Sequence, residues 1–177
     1  MISKKTLFTI IFTIFSSTGC GGGGESKTEV HEEDNSGVTS SKVSEIYSTV
    51  SAFAAVKTDG SVITWGNSID GGDSSNVVLN DITKIYSGYG AFAAIKNDDS
   101  VITWGRNGVG ADSSTVVLTN VDRIYSNGYT FAALKKDGTV VTWEHWDDRG
   151  GDSSAVDLND VIEIYSNSHA YAAMKAD

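Results

Sequence analysis

Phe53-Ala54-Ala55-Val56-Lys57-Thr58-Asp59-Gly60-Ser61-Val62-Ile63-Thr64-Trp65 reads as two short strands joined by a tight turn. Lys57-Thr58-Asp59-Gly60 supplies the reversal, with a glycine where the chain needs a positive φ. The hairpin is written again at Phe92 to Trp104 and at Phe131 to Trp143, and begins a fourth time at Tyr171. Upstream of each copy stands Ile-Tyr-Ser, at 46–48, 85–87, 124–126 and 164–166, in steps of 39, 39 and 40 residues. The additional residue falls between Trp143 and Asp152. A fixed period of this length marks a repeat architecture.

One unit holds several short extended pieces: Val43 to Ser48, Ala52 to Lys57, and Ser61 to Trp65, all rich in β-formers. A polar loop follows from Gly66 to Asn76, then Val77-Val78-Leu79, which the pattern predicts as a fourth strand. No window sustains a helical period. Ala52, Ala54 and Val56 fall on one face of their strand, and Phe53 and Ala55 on the other. Both faces are apolar, so each small sheet is expected to be covered on both sides. Small four-stranded antiparallel sheets packed face to face describe propeller blades. A β-solenoid would repeat faster. The expected fold is therefore all-β, a partial β-propeller of about three and a half blades at 43–81, 82–120, 121–160 and 161–177.

Phe-Ala-Ala-x-Lys-x-Asp-Gly-x-Val-x-Thr-Trp-Gly followed by a glycine-rich loop resembles the regulator-of-chromosome-condensation repeat, over about residues 43–177. That resemblance implies blades of a β-propeller that is complete at seven. Asp99 stands where Gly60 and Gly138 stand, and Glu144 replaces the glycine after Trp65 and Trp104. Three units and a start leave apolar end faces. The expectations are a truncated or marginal arc, or a homodimer in which two arcs complete a ring.

The first forty residues read differently. Lys4 and Lys5 precede an apolar run from Leu7 to Phe15, too short to span a bilayer as a helix but suited to a signal peptide. Ser17-Thr18-Gly19-Cys20 resembles the lipobox of bacterial lipoproteins, apart from Ser17 where an aliphatic residue is usual. The resemblance implies cleavage and lipidation at Cys20, the one cysteine of the chain. Residues 1–20 are thus expected to be a lipoprotein signal ending at the lipidated residue. Residues 21–41, four glycines and then mostly acidic and hydroxyl residues, are expected to be a flexible tether, and 42–177 the repeats. The expected location is the bacterial cell envelope, at the outer membrane or cell surface, with the membrane reached through the lipid.

A net charge of −10 argues against nucleic acid, whose phosphates are bound by Lys and Arg. Asp73-Ser74-Ser75, Asp112-Ser113-Ser114 and Asp152-Ser153-Ser154 recur at the period, and turn chemistry explains them better than a metal ring. The glycan-processing alternative would use these same aspartates. Trp65, Trp104 and Trp143 are expected between blades. Trp146 and His145 occupy the one loop that breaks register and are the candidate binding residues, since loops on a rigid scaffold carry function. No catalytic triad, phosphate loop or metal cluster is legible, so no enzyme activity, cofactor or metal is expected. The resulting expectation is a membrane-anchored protein-binding module with an unidentified protein partner. A carbohydrate-binding adhesin and a nonfunctional propeller fragment are the alternatives.

Overall fold

The computed structural model describes residues 41–143, 152–153 and 156–176. Among these residues eleven strands form four separate antiparallel sheets. The first blade is β1 (Val43–Ser48), β2 (Ala52–Lys57) and β3 (Val62–Gly66); the second is β4 (Ile82–Ser87), β5 (Ala91–Lys96) and β6 (Val101–Gly105). The third blade is β7 (Val121–Ser126), β8 (Phe131–Lys135) and β9 (Val140–Trp143). β10 (Val161–Ser166) and β11 (Tyr171–Lys175) form a two-stranded fourth sheet.

The register is the same in every blade. Phe53 lies opposite Trp65, Phe92 opposite Trp104 and Phe131 opposite Trp143. Each of these pairs stacks, with ring centroids 5.3, 5.1 and 5.4 Å apart. Facing residues of an antiparallel pair share one side of the sheet. Phe92, Ala94, Ile102 and Trp104 therefore look back at the first blade, and Ala91, Ala93, Ile95 and Val101 look forward at the third. The expected two-sided burial is realised: Ala91, Phe92, Ala93 and Ala94 are all fully buried.

The fourth strand of each blade is corrected. Val77-Val78-Leu79 joins no ladder, and the sheets that contain the hairpins have three strands. The segment leaves Val78 exposed, while Val77 and Leu79 pack on the core. Its equivalents reach the third strand through one backbone bond, Val101 N to Leu118 O at 3.1 Å and Val140 N to Leu158 O at 3.1 Å. Asp81, Asn120 and Asp160 then turn the chain with φ between 57° and 60°. Asp and Asn tolerate this left-handed conformation, so three residues of β-propensity give way to a turn directly behind them.

A bulge interrupts every first strand one residue in, at Ser44, Thr83, Asp122 and Ile162. Ser44 and Thr83 donate their hydroxyls to Val56 O and Ile95 O, at 2.9 and 3.0 Å. First strands are the sheet edges and lie side by side from blade to blade. They carry Glu45, Lys84, Arg123 and Glu163 at one repeat position, and charge on an edge discourages stray pairing. Arg123 Nη1 donates to Glu163 at 2.7 Å, and the Tyr125 hydroxyl donates to the same carboxylate. Burial first, and then Glu163, pushes the Tyr125 hydroxyl up to about 12.

Candidate functional site

Cys20, the leader and the tether lie outside the described residues, as do Trp146 and His145. β9 delivers the chain to that loop at Trp143, on the end of the arc where first strands finish and second strands begin. At this end Asn67 N bonds Ser51 O and Arg106 N bonds Gly90 O, which closes the first and second blades.

The periodic residues that invite a functional reading do structural work. Asp73 and Asp112 each accept the backbone N–H two residues on, at 2.9 Å. The backbone and hydroxyl of Ser75 lower the Asp73 carboxyl below the usual range, and the hydroxyl and backbone of Ser114 do the same for Asp112. The middle serine of each triplet bonds the threonine of the third strand: Thr64 with Ser74, Thr103 with Ser113, Thr142 with Ser153, at 2.9 to 3.0 Å. Among the described residues no three His, Cys, Asp or Glu side chains converge on one point.

The tryptophans lock blades together. Trp104 Nε1 donates to Gly71 O at 3.1 Å and Trp143 Nε1 to Gly110 O at 3.0 Å, each to the loop of the preceding blade. A Cβ on Gly71 would come within 2.7 Å of the Phe92 ring, and one on Gly110 would run into Phe131. These loops are glycine-rich because an aromatic pair of the next blade lies against their backbone. The turn Ser68–Gly72 also sends Asp70 into the first interface, where it is 2% exposed. Arg106 of the second blade donates to it from Nε and Nη2 at 2.7 and 2.6 Å, and Ser51 donates to its other oxygen.

What remains on this end is a group of loops between first and second strands. Tyr89 and Tyr129, on adjacent blades, stack with centroids 5.5 Å apart and planes 13° from parallel. Backbone bonds hold the loops in line: Val50 N to Tyr89 O at 3.0 Å, and Tyr89 N to Gly128 O at 2.5 Å. Tyr89 is 43% exposed and Val50 58%. The sequence reading passed over both tyrosines. Their signal was a size change: at the repeat position of Tyr89 stand Val50, Gly128 and Ser168, and at that of Tyr129 stand Ser51, Gly90 and His169.

Repeated three-stranded blades in face-to-face order, locked by a tryptophan on the previous loop, match solved propellers. Prp20p from Saccharomyces cerevisiae aligns at 15% identity and TM-score 0.50, over 78% of this chain and 40% of that one. The fold is that of the RCC1 β-propeller. Yeast RCC1 (Prp20) bound to Kap60 aligns at 16% identity and TM-score 0.50, over 77% and 37% of the two chains. The CRINKLY WD40 ectodomain of the Arabidopsis thaliana receptor kinase ACR4 aligns at 14% and 0.50, over 72% and 45%. The chain thus spans less than half the length of each of these RCC1-fold structures. No protein-family model and no curated protein matches the sequence.

Proposed function

We propose that this RCC1-fold arc is a non-enzymatic protein-binding module, carried at a bacterial envelope membrane by a lipid on Cys20. The observation behind the binding reading is the Tyr89–Tyr129 stack, presented with Val50 on loops that backbone bonds hold rigid. Tyrosine offers large contact area at low entropic cost and is enriched where binding energy concentrates. The lipid rests on the leader and lipobox resemblance of residues 1–20.

Two measurements test the two halves. Crosslinking on intact cells, followed by mass spectrometry, should give a protein adduct on the full chain that Tyr89→Ala/Tyr129→Ala abolishes without altering the circular dichroism. Depletion on polysaccharides with no protein adduct would move the reading to an adhesin. Mass spectrometry of the mature N-terminus should find acylated Cys20, and Cys20→Ser should release the chain from membranes. An unmodified Cys20 ends the anchor proposal.

A further inference from the structure

Two positions in the third and fourth units depart from the apolar pattern of the repeat, and they meet. Phe53, Phe92 and Phe131 each lie opposite the last serine of their first strand, and Tyr171 takes that place opposite Ser166. Ala52, Ala91 and Ala170 hold the position that Thr130 fills in the third unit. The Tyr171 hydroxyl donates to Thr130 O at 2.6 Å and accepts from Asn127 N at 3.1 Å and Thr130 Oγ1 at 3.2 Å. Burial pushes this hydroxyl up to about 12, so it keeps its proton, and the bond it donates, at ordinary pH. Asn127 and Thr130 are buried as well. Asn127 Oδ1 in turn accepts Tyr129 N at 3.0 Å and Thr130 N at 2.9 Å. Gly128 N donates to Ser126 Oγ at 3.0 Å, and Gly128 O accepts from Tyr89 N. The loop that carries Tyr129 is therefore held by a side chain of the next unit.

Packing alone does not call for tyrosine here, because Phe92 and Phe131 fill the same position one and two units earlier and are fully buried. A buried hydroxyl loses its hydration and must recover it through bonds. A network in which every member is satisfied makes its surroundings rigid. We propose that Tyr171 is a positioning residue for the binding surface: its hydroxyl fixes the Asn127–Thr130 loop and so holds Tyr129 in its stack with Tyr89. A loop ordered before contact does not bear its ordering cost when a partner binds. This inference rests on the reading of the tyrosine stack as a protein-binding surface, and it assigns the preorganisation of that surface to the fourth hairpin.

The test is Tyr171→Phe in the full chain, which installs the residue of the other three units and is expected to keep the denaturation midpoint close to that of the wild type. Hydrogen exchange at Asn127 and Tyr129 should quicken about fivefold, the factor of one net hydrogen bond. The ring-proton NMR shifts of Tyr89 and Tyr129 should move toward those of free tyrosine. The adduct formed on intact cells with a bis-succinimidyl ester should fall about fivefold by the same factor. Every lysine stays in place, so that fall reads affinity and not crosslinker chemistry. Thr130→Ala removes one partner of the same hydroxyl and should have a smaller effect. Combined with Tyr171→Phe it should add nothing, because both act through one network. Unchanged tyrosine rings in Tyr171→Phe overturn the proposal, and so do fully additive effects of the two substitutions. Loosened rings with an undiminished adduct also overturn it, and leave the loop-based reading standing. Absence of any adduct from the wild type overturns the loop-based reading and this proposal with it.

Discussion

Phe53 and Phe92 begin the same three letters, Phe-Ala-Ala, each followed by a β-branched residue, and stack on their tryptophans in the same register. Phe92 is fully buried and Phe53 is 43% exposed. The difference lies in the neighbour, because Phe92 has the loop of Gly71 against it. Burial in this molecule is a property of the interface between repeats, as in other repeat proteins whose stability sums unit and nearest-neighbour contributions. The other end repeats the lesson with its own residues. Tyr125 packs against the fourth hairpin, and its counterpart Tyr165 is 59% exposed.

The sharpest way to break that comparison is to remove equivalent tryptophans. Trp143→Ala should cost about 3–5 kcal/mol, since the ring is fully buried and its N–H bonds Gly110 O. Trp65→Ala, at the half-buried end, should cost about 1–2 kcal/mol. Chemical denaturation of the two variants checks this, and equal losses would mean that both end and interior blades bury their tryptophan alike. A second pair isolates the loop contact. Gly110 and Gly128 both have positive φ, 108° and 97°. A Cβ on Gly110 meets Phe131, and one on Gly128 has nothing within 4 Å. Both alanine variants incur the left-handed penalty of about 1–2 kcal/mol. Gly110→Ala should add about 1–3 kcal/mol of overpacking. A matched pair of melting curves would refute the close-packing account of the glycine-rich loops.

The blade was legible because its signals are local: alternation, a turn glycine, and a period that places Phe opposite Trp. β1 and β2 begin and end where the apolar patterning predicts. The failed strand at Val77–Leu79 was not legible from propensity. Its fate depends on the left-handed turn at Asp81 and on a core that takes two of its three side chains. The bulges at Ser44 and its equivalents carry no composition of their own, being shifts of pairing between strands. For the site, the turn role of the Asp-Ser-Ser triplets and the interblade role of Trp104 and Trp143 were readable from residue type and spacing. The tyrosine stack was missed because it joins two positions that differ in repeat phase by one residue. Gly71 and Gly110 looked like loop filler until the rings of the following blade gave the reason for them.

A smaller effect probes how closely the repeats must agree. Asp99 takes the turn position of Gly60 and Gly138 and keeps their conformation, φ 62° against 78° and 80°. Asp99→Gly should relieve left-handed strain of about 1 kcal/mol, partly offset by loss of the exposed bridge from Lys136 at 2.6 Å. A small rise in melting temperature is expected. A fall would show that the link from the third blade to the second outweighs the strain.

The acid limb of the stability curve offers the finest test. At the tip of each complete hairpin an aspartate accepts two bonds from the residue two ahead: Asp59 from Ser61, Asp98 from Ser100 and Asp137 from Thr139. These bonds lower all three carboxyls, Asp59 to about 2 from an ordinary 3.8, with a further bond from Ser41. A carboxyl with a depressed folded-state value binds fewer protons folded than unfolded between those two values. Its contribution to stability is complete above about 3.8 and is lost as pH falls toward 2. All three tips are fully exposed, so each contribution is small and screened by salt. Asp59→Asn should therefore flatten the stability curve between pH 3.8 and 2 and leave it unchanged in shape above pH 5. Carboxyl NMR titration gives the direct check. A midpoint for Asp59 at the ordinary value would mean that Ser61 and Ser41 hold its carboxylate no better than water does, and that the exposed tips contribute to the turn through backbone conformation alone.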